Sequence, residues 1–176
     1  MLAQTAADFA GLDRVYFIPT ANPPHKTGRA LSPFETRLRM VESAIEDNGL
    51  FEVSLVEKKD GPSYTWESVV HFSRMGYDRE SLHLVVGEDS LAEIEGWRRP
   101  GVILEHATVV AMRRPGSGWD GPPPVGASLM ILDTGSNTVS SSAIRRLVGS
   151  GRSIRYLVPP GVERIIREEG LFSSGG

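Results

Sequence analysis

The sequence predicts a single α/β domain: a parallel sheet with helices on both faces. Three observations carry this. Short β-branched and aromatic runs alternate with segments of helical spacing along the whole chain, as in a succession of strand–helix–strand crossovers. The run at 82–86 is apolar almost without interruption, as a strand buried on both faces is. The 176 residues are 40% hydrophobic and 23% charged, which suits one globular domain able to bury its own core.

The elements follow in order. Leu2, Ala6, Phe9 and Ala10 recur at helical spacing, with Gly11 as a stop. Val15, Tyr16, Phe17 and Ile18 form a strand ended by Pro19, and the loop after it is stiffened by Pro23 and Pro24. Ser32, Pro33, Phe34 and Glu35 read as a capping box. It opens a helix whose apolar face is Phe34, Leu38, Val41, Ala44 and Ile45, closed by Asn48 and Gly49. Residues 51–56 read as a strand, 63–75 as a helix, 82–86 as a strand and 90–95 as helical. A strand at 108–112, a Gly- and Pro-rich surface loop at 113–127 and a short strand at 129–132 follow. Helices near 140–149 and 161–169 complete a single domain over 1–172, leaving 173–176 as a frayed tail.

Lys and Arg total 19 against 22 Asp and Glu, a net charge of −3, so bulk charge argues against a protein that coats nucleic acid or an anionic membrane. The chain has no cysteine, which excludes disulfides, thiolate metal sites and thiol nucleophiles. No apolar run reaches the ~20 residues of a membrane span. A cytoplasmic location is therefore expected, and the composition leaves a homo-oligomer open.

Chemistry gathers at five places. Ser140, Ser141 and Ser142 open a helix that carries Arg145 in its first turn. Free N–H groups, the positive dipole end and a guanidinium fork together suit an anion, although serine is also the commonest helix cap. Gly87 and Asp89 stand at the carboxyl end of the 82–86 strand, where open α/β sheets bind ligands. There glycine admits a ligand to the backbone and a carboxylate suits a ribose hydroxyl; Asp89 as a helix cap is the plain alternative. Trp97 stands beside Arg98 and Arg99, and could stack on a base with a cation close by or pack as a rim residue. Lys26 ends the proline loop and Tyr64 and Thr65 open a helix, again positions at the ligand edge or simple surface and cap residues. The histidines have no metal-like spacing, and no Gly-x-x-x-x-Gly-Lys-Ser/Thr loop is present.

Taken in order, Ile18-Pro19, Pro23-Pro24-His25-Lys26, Pro62-Ser63-Tyr64-Thr65, Gly87-Glu88-Asp89 with Trp97, and Ser140-Ser141-Ser142-Ala143-Ile144-Arg145 resemble the bacterial nicotinate-nucleotide adenylyltransferases. Residues 153–159 and Gly170-Leu171-Phe172 resemble that family's carboxyl-terminal region, so the likeness covers nearly the whole chain. The resemblance implies a Rossmann-like nucleotidyltransferase fold and adenylyl transfer from ATP to nicotinate mononucleotide, with Mg²⁺ accompanying the ATP. It places Ser141, Ser142 and Arg145 on ATP phosphates and Gly87 and Asp89 along the nucleotide site. Trp97 would stack on the pyridine, Tyr64 and Thr65 would lie near its carboxylate, and Thr20 and Lys26 would flank the phosphate region. Lys58-Lys59-Asp60-Gly61 stands where relatives often carry an arginine, which leaves those local contacts open.

The family pattern also opens with a strand and a loop of the form Gly-Gly-x-Phe-x-Pro-x-His-x-Gly-His, which residues 1–12 do not match. The expectation is that this central strand is missing, that the 176-residue form transfers adenylyl poorly, and that no catalytic residue can be named within it. Two other readings stand beside the first: a sister adenylyltransferase acting on phosphopantetheine or nicotinamide mononucleotide, and a nucleotide-binding protein without catalysis.

Overall fold

The computed structural model describes residues 2–22, 31–113, 121–133 and 139–173. Thirteen elements alternate in the expected sense. Helix α1 (Leu2–Ala10) precedes β1 (Val15–Phe17), α2 (Phe34–Ile45) and β2 (Phe51–Val53). Next come α3 (Thr65–Arg74), β3 (His83–Gly87), α4 (Glu88–Ala92), a 3₁₀ turn at Ile94–Gly96 and α5 (Pro100–His106). Strands β4 (Thr108–Arg113) and β5 (Ser128–Asp133) and helices α6 (Ser141–Gly149) and α7 (Pro160–Glu168) complete the chain.

Every strand pair is parallel. Val15 pairs with Phe51 in β1–β2, His83 with Thr108 in β3–β4, and Thr108 with Ser128 in β4–β5. Among the described residues the ladder falls into two groups, β1–β2 and β3–β4–β5. Strand β4 is central to the larger group, and its alternating side chains show how both faces are covered. Val109 and Ala111 join Val69, Leu91, Ile94 and Ile103 beneath α3 and α5, whereas Val110 and Met112 join Ala6 of α1 and Leu132. A third cluster, Ile144, Ile154 and Ile166 with Met40 packed on it, holds α2, α6 and α7 together. There Thr36 Oγ1 donates to Glu169 Oε2 at 2.9 Å, and Arg39 ion-pairs with the same carboxylate.

Some boundaries differ from those read in the sequence, for local reasons. The second strand stops at Val53, because after the Ser54 N–H reaches the Phe17 carbonyl (2.9 Å) the chain turns. The Lys58 N–H donating to the Leu55 carbonyl closes that turn. The cap of α2 is Pro33, whose carbonyl accepts from the Arg37 N–H at 3.1 Å; the expected Ser32 capping box does not form, since Ser32 lies one residue too early. Helix α5 was not legible. Its Val102, Ile103 and Leu104 form an apolar run without helical period, and Pro100 in its first turn is the signal that marks it. Helix α1 ends as expected: Gly11 takes φ +62°, and the Leu12 N–H returns to the Ala7 carbonyl at 2.9 Å.

Candidate functional site

Between β1 and β3 lies a cavity of about 790 Å³. It runs along both strands, from Arg14 to Ile18 and from Leu82 to Val86, with Thr65, Ser68, Val69 and Phe72 of α3 beside it, and three of the expected residues line it. Thr20 enters from the loop after β1, Thr65 from the first turn of α3, and Trp97 from the turn after Ile94–Gly96. Trp97 is half-buried, packing in part against the Leu91–Ile103 cluster. Gly87 and Asp89 stand at the carboxyl end of β3, next to the cavity-lining Val86. The helix there is capped by Gly87 and not by Asp89, which lies within its first turn and is exposed. The buried neighbour Glu88 accepts from Arg113 Nε at 3.2 Å. That contact leaves the motif's other carboxylate, Asp89, as the one toward solvent.

Tyr64 caps α3 without lining the cavity. The two arginines after Trp97 do not lie beside its ring, contrary to one of the sequence readings. Arg98 sits over the Tyr64 ring at 5.0 Å and Arg99 over the Trp66 ring at 4.3 Å. They therefore fasten the Trp97 segment to the start of α3. Arg99 adopts φ 54° to make this turn, a conformation uncommon for a residue with a side chain.

Serine and arginine at the start of α6 divide their work. Ser140 is the cap, its Oγ accepting from the Ala143 N–H at 3.2 Å, so the capping reading is right for that serine. Ser141 and Ser142 are left exposed beyond it. Arg145 Nη2 donates to Ser142 Oγ at 3.2 Å, which sets the guanidinium beside the helix's opening turn. These residues do not line the 790 Å³ cavity; they project from the α2–α6–α7 unit. Lys26 lies outside the described residues, as do its neighbours Pro23, Pro24 and His25, residues 114–120 of the Gly- and Pro-rich loop, and 174–176 of the tail.

One titrating group stiffens the site. The Lys59 ammonium, 2.6 Å from Glu67 Oε2, holds the Glu67 carboxyl below its ordinary range, helped by the Tyr64 N–H that donates to the same oxygen at 3.2 Å. A carboxyl lowered by folding adds stability above its unfolded pKa and loses it as pH falls through the lower native value. Glu67→Gln is thus expected to melt below the parent at neutral pH, the gap narrowing through the acid range. A gap that stays constant in melting curves down to strongly acid pH would remove this account.

Residues that sequence reasoning missed include Asn22 and Glu57. Asn22 Nδ2 donates to the carbonyls of Lys59 (3.3 Å) and Gly61 (3.2 Å), tying the loop after β1 to the turn before α3. Asp, Gly and Pro clustered at 60–62 signal a turn, but nothing in the sequence says which loop it would join.

The cytidylyltransferase-like family matches residues 1–147, most of the chain, and places this α/β fold among the nucleotidyltransferases. A Pelobacter propionicus protein named "Probable nicotinate-nucleotide adenylyltransferase" is 37% identical over 195 residues, covering 98% of this chain and 90% of that one. A Geobacillus thermodenitrificans protein of the same name is 33% identical over 175 residues, covering 99% and 79%. The chain belongs to the nicotinate-nucleotide adenylyltransferase family. The fold agrees: the Plasmodium falciparum nicotinic acid mononucleotide adenylyltransferase complexed with NaAD superposes with a TM-score of 0.77 at 15% identity, covering 98% of this chain and 88% of that one.

Proposed function

We propose that the protein transfers the adenylyl group of ATP to nicotinate mononucleotide, giving deamido-NAD and pyrophosphate in NAD biosynthesis. The observation that carries this reading is the shared cavity of Thr20, Thr65 and Trp97, in a chain matched over nearly its whole length by relatives that bear that name. A phosphate oxygen of the mononucleotide attacks the α-phosphorus of ATP. One P–O bond forms there, and the bond to the β-phosphate oxygen breaks, releasing pyrophosphate. The nucleophile is already an anion, so the chain's task is to hold two anions in line and to neutralise charge.

Trp97 offers its half-buried face to the pyridine, and Thr65, its hydroxyl in the first turn of α3 at the positive end of the helix dipole, suits the ring carboxylate. Tyr64 shapes that helix start from its stack beneath Arg98. Thr20 and Lys26 flank the mononucleotide phosphate. Gly87 and Asp89 lie along the ATP, the carboxylate toward a ribose hydroxyl, and Ser141, Ser142 and Arg145 take its phosphates. Mg²⁺ arrives as part of the ATP substrate, with phosphate oxygens as its ligands. Among the described residues no three carboxylate or imidazole groups cluster to cage a dication, so no step is derived through it. Among the described residues no helix is long and apolar enough to cross a membrane.

The test combines calorimetric binding of ATP and nicotinate mononucleotide with pyrophosphate release from the pair. Nicotinamide mononucleotide and phosphopantetheine serve as competing acceptors. Tighter binding or faster release with either of them would overturn the assignment of substrate. Trp97→Ala is expected to weaken nicotinate mononucleotide about tenfold, a stacked base being worth ~1–3 kcal/mol, and to leave ATP within a few-fold. Unchanged mononucleotide affinity would show Trp97 to be packing alone.

A further inference from the structure

Glu57 is a carboxylate only 9% exposed, in a turn to which the sequence assigns no chemistry. Burying such a charge is costly unless something is gained from holding it. The adjacent lysines do not neutralise it: Lys58 pairs with Glu35 at 2.9 Å and Lys59 with Glu67 at 2.6 Å. Ser68, itself 4% exposed, donates its Oγ hydrogen to Glu57 Oε1 at 2.9 Å. The Glu57 carbonyl meanwhile accepts from Ser63 Oγ at 3.1 Å and from the Lys59 N–H at 3.1 Å. One residue therefore grips both the approach to α3 and its second turn.

Ser68 lies three residues beyond Thr65, so the two share a helix face, and both face the cavity that Glu57 also lines. Fixing Ser68 fixes the rotation of α3, and with it the direction of Thr65. The same turn is bonded to the β1 loop, because Asn22 holds Lys59 and Gly61 while its carbonyl accepts from the Ser63 N–H at 3.3 Å. That loop carries Thr20. The two sides of the cavity are thus set relative to each other through this turn.

From this we infer that Glu57 is a positioning residue for the mononucleotide half of the site, acting through Ser68 and Ser63 and not by touching substrate. The inference rests on the reading that Thr65 meets the ring carboxylate. Misplacing a binding group by about 1 Å costs up to ~10²-fold. Glu57→Ala is accordingly expected to weaken nicotinate mononucleotide by about tenfold or more while ATP changes less than about twofold. Glu57→Gln keeps an oxygen acceptor for Ser68 and should bind both ligands as the parent does.

The experiment is calorimetry with nicotinate mononucleotide and with ATP on the full chain, its Glu57→Ala, Glu57→Gln and Ser68→Ala variants, and Thr36→Ala as a control weakened in the α2–α7 contact. Hydrogen–deuterium exchange over residues 63–68 accompanies it. Selective loss of the mononucleotide in Glu57→Ala and Ser68→Ala, rescue by Gln, and faster exchange over 63–68 support the inference. Equal loss of both ligands, the same loss in Thr36→Ala, or a Gln variant as weak as Ala overturns it. Should the parent itself fail to bind the mononucleotide, the substrate reading falls on its own. Exchange over 63–68 then decides the positioning role: unchanged protection in both Glu57→Ala and Ser68→Ala overturns that too.

Discussion

Arg145→Ala is expected to lower ATP affinity by roughly 10–100-fold, the ~1.5–3 kcal/mol of a hydrogen bond to a charged group. The mononucleotide should change by less than about threefold. The asymmetry follows from where the guanidinium stands. It is exposed, held by Ser142 Oγ at 3.2 Å beside the opening turn of α6, and is not among the residues lining the Trp97 cavity. Its fork adds two directed donors to N–H groups and a dipole already turned toward an anion. Arg145→Lys keeps the charge and loses the fork, so it should fall between parent and Ala. Calorimetric titration with each ligand separates the cases. Equal weakening of both would remove Arg145 from the triphosphate.

The largest loss of stability is expected from Ile103→Ala. Ile103 is fully buried in α5, against Val69, Leu91, Ile94 and Val109, so its shortened side chain leaves a cavity that fixed neighbours on four other elements do not fill. Such changes cost about 2–5 kcal/mol, a large share of the ~5–15 kcal/mol that holds a domain folded. In a domain of this length the melting temperature should drop by roughly 5–20 °C. Ile103→Val removes one methylene and should cost only ~0.5–1.5 kcal/mol. Thermal melts of the two variants beside the parent check this, and an Ala variant melting within a degree of the parent would show the cluster to be plastic at this point.

The parallel architecture was legible in the alternation of strand and helix signals, although the strand read as buried on both faces, 82–86, is half-buried along its length and β4 holds that place. Gly87, Thr65 and Trp97 were legible for a related reason. Each sits where an element begins or ends, and in an open sheet those ends face the ligand. What stayed hidden depends on contacts across the chain. Glu57 meets Ser68 through a turn whose path no local pattern encodes, and Arg98 and Arg99 find rings on α3 where proximity in sequence pointed to Trp97. Ser140 and Ser142 look alike in sequence; only the cap geometry tells which hydroxyl is spent on the helix. Helix α5 escaped because seven residues hold too few turns for a period to emerge.

The division of the ladder bears on how the molecule meets other chains. Among the described residues it leaves four outer strands instead of two, namely β1, β2, β3 and β5, each presenting backbone groups that a neighbour could pair with. Length and charge blunt some of them. Strands β1 and β2 run for only three residues, and Glu52 at the middle of β2 is bridged by Arg14 at 3.2 Å. Strand β5 has less protection. Its six residues read Ser-Leu-Met-Ile-Leu-Asp, with Ile131 41% exposed and a charge only at the end. An apolar edge of that length is the kind that self-associates when a chain is crowded or partly unfolded. Strand β5 is thus the edge most open to pairing with another chain, at the opposite side of the β3–β4–β5 group from the strand that lines the Trp97 cavity.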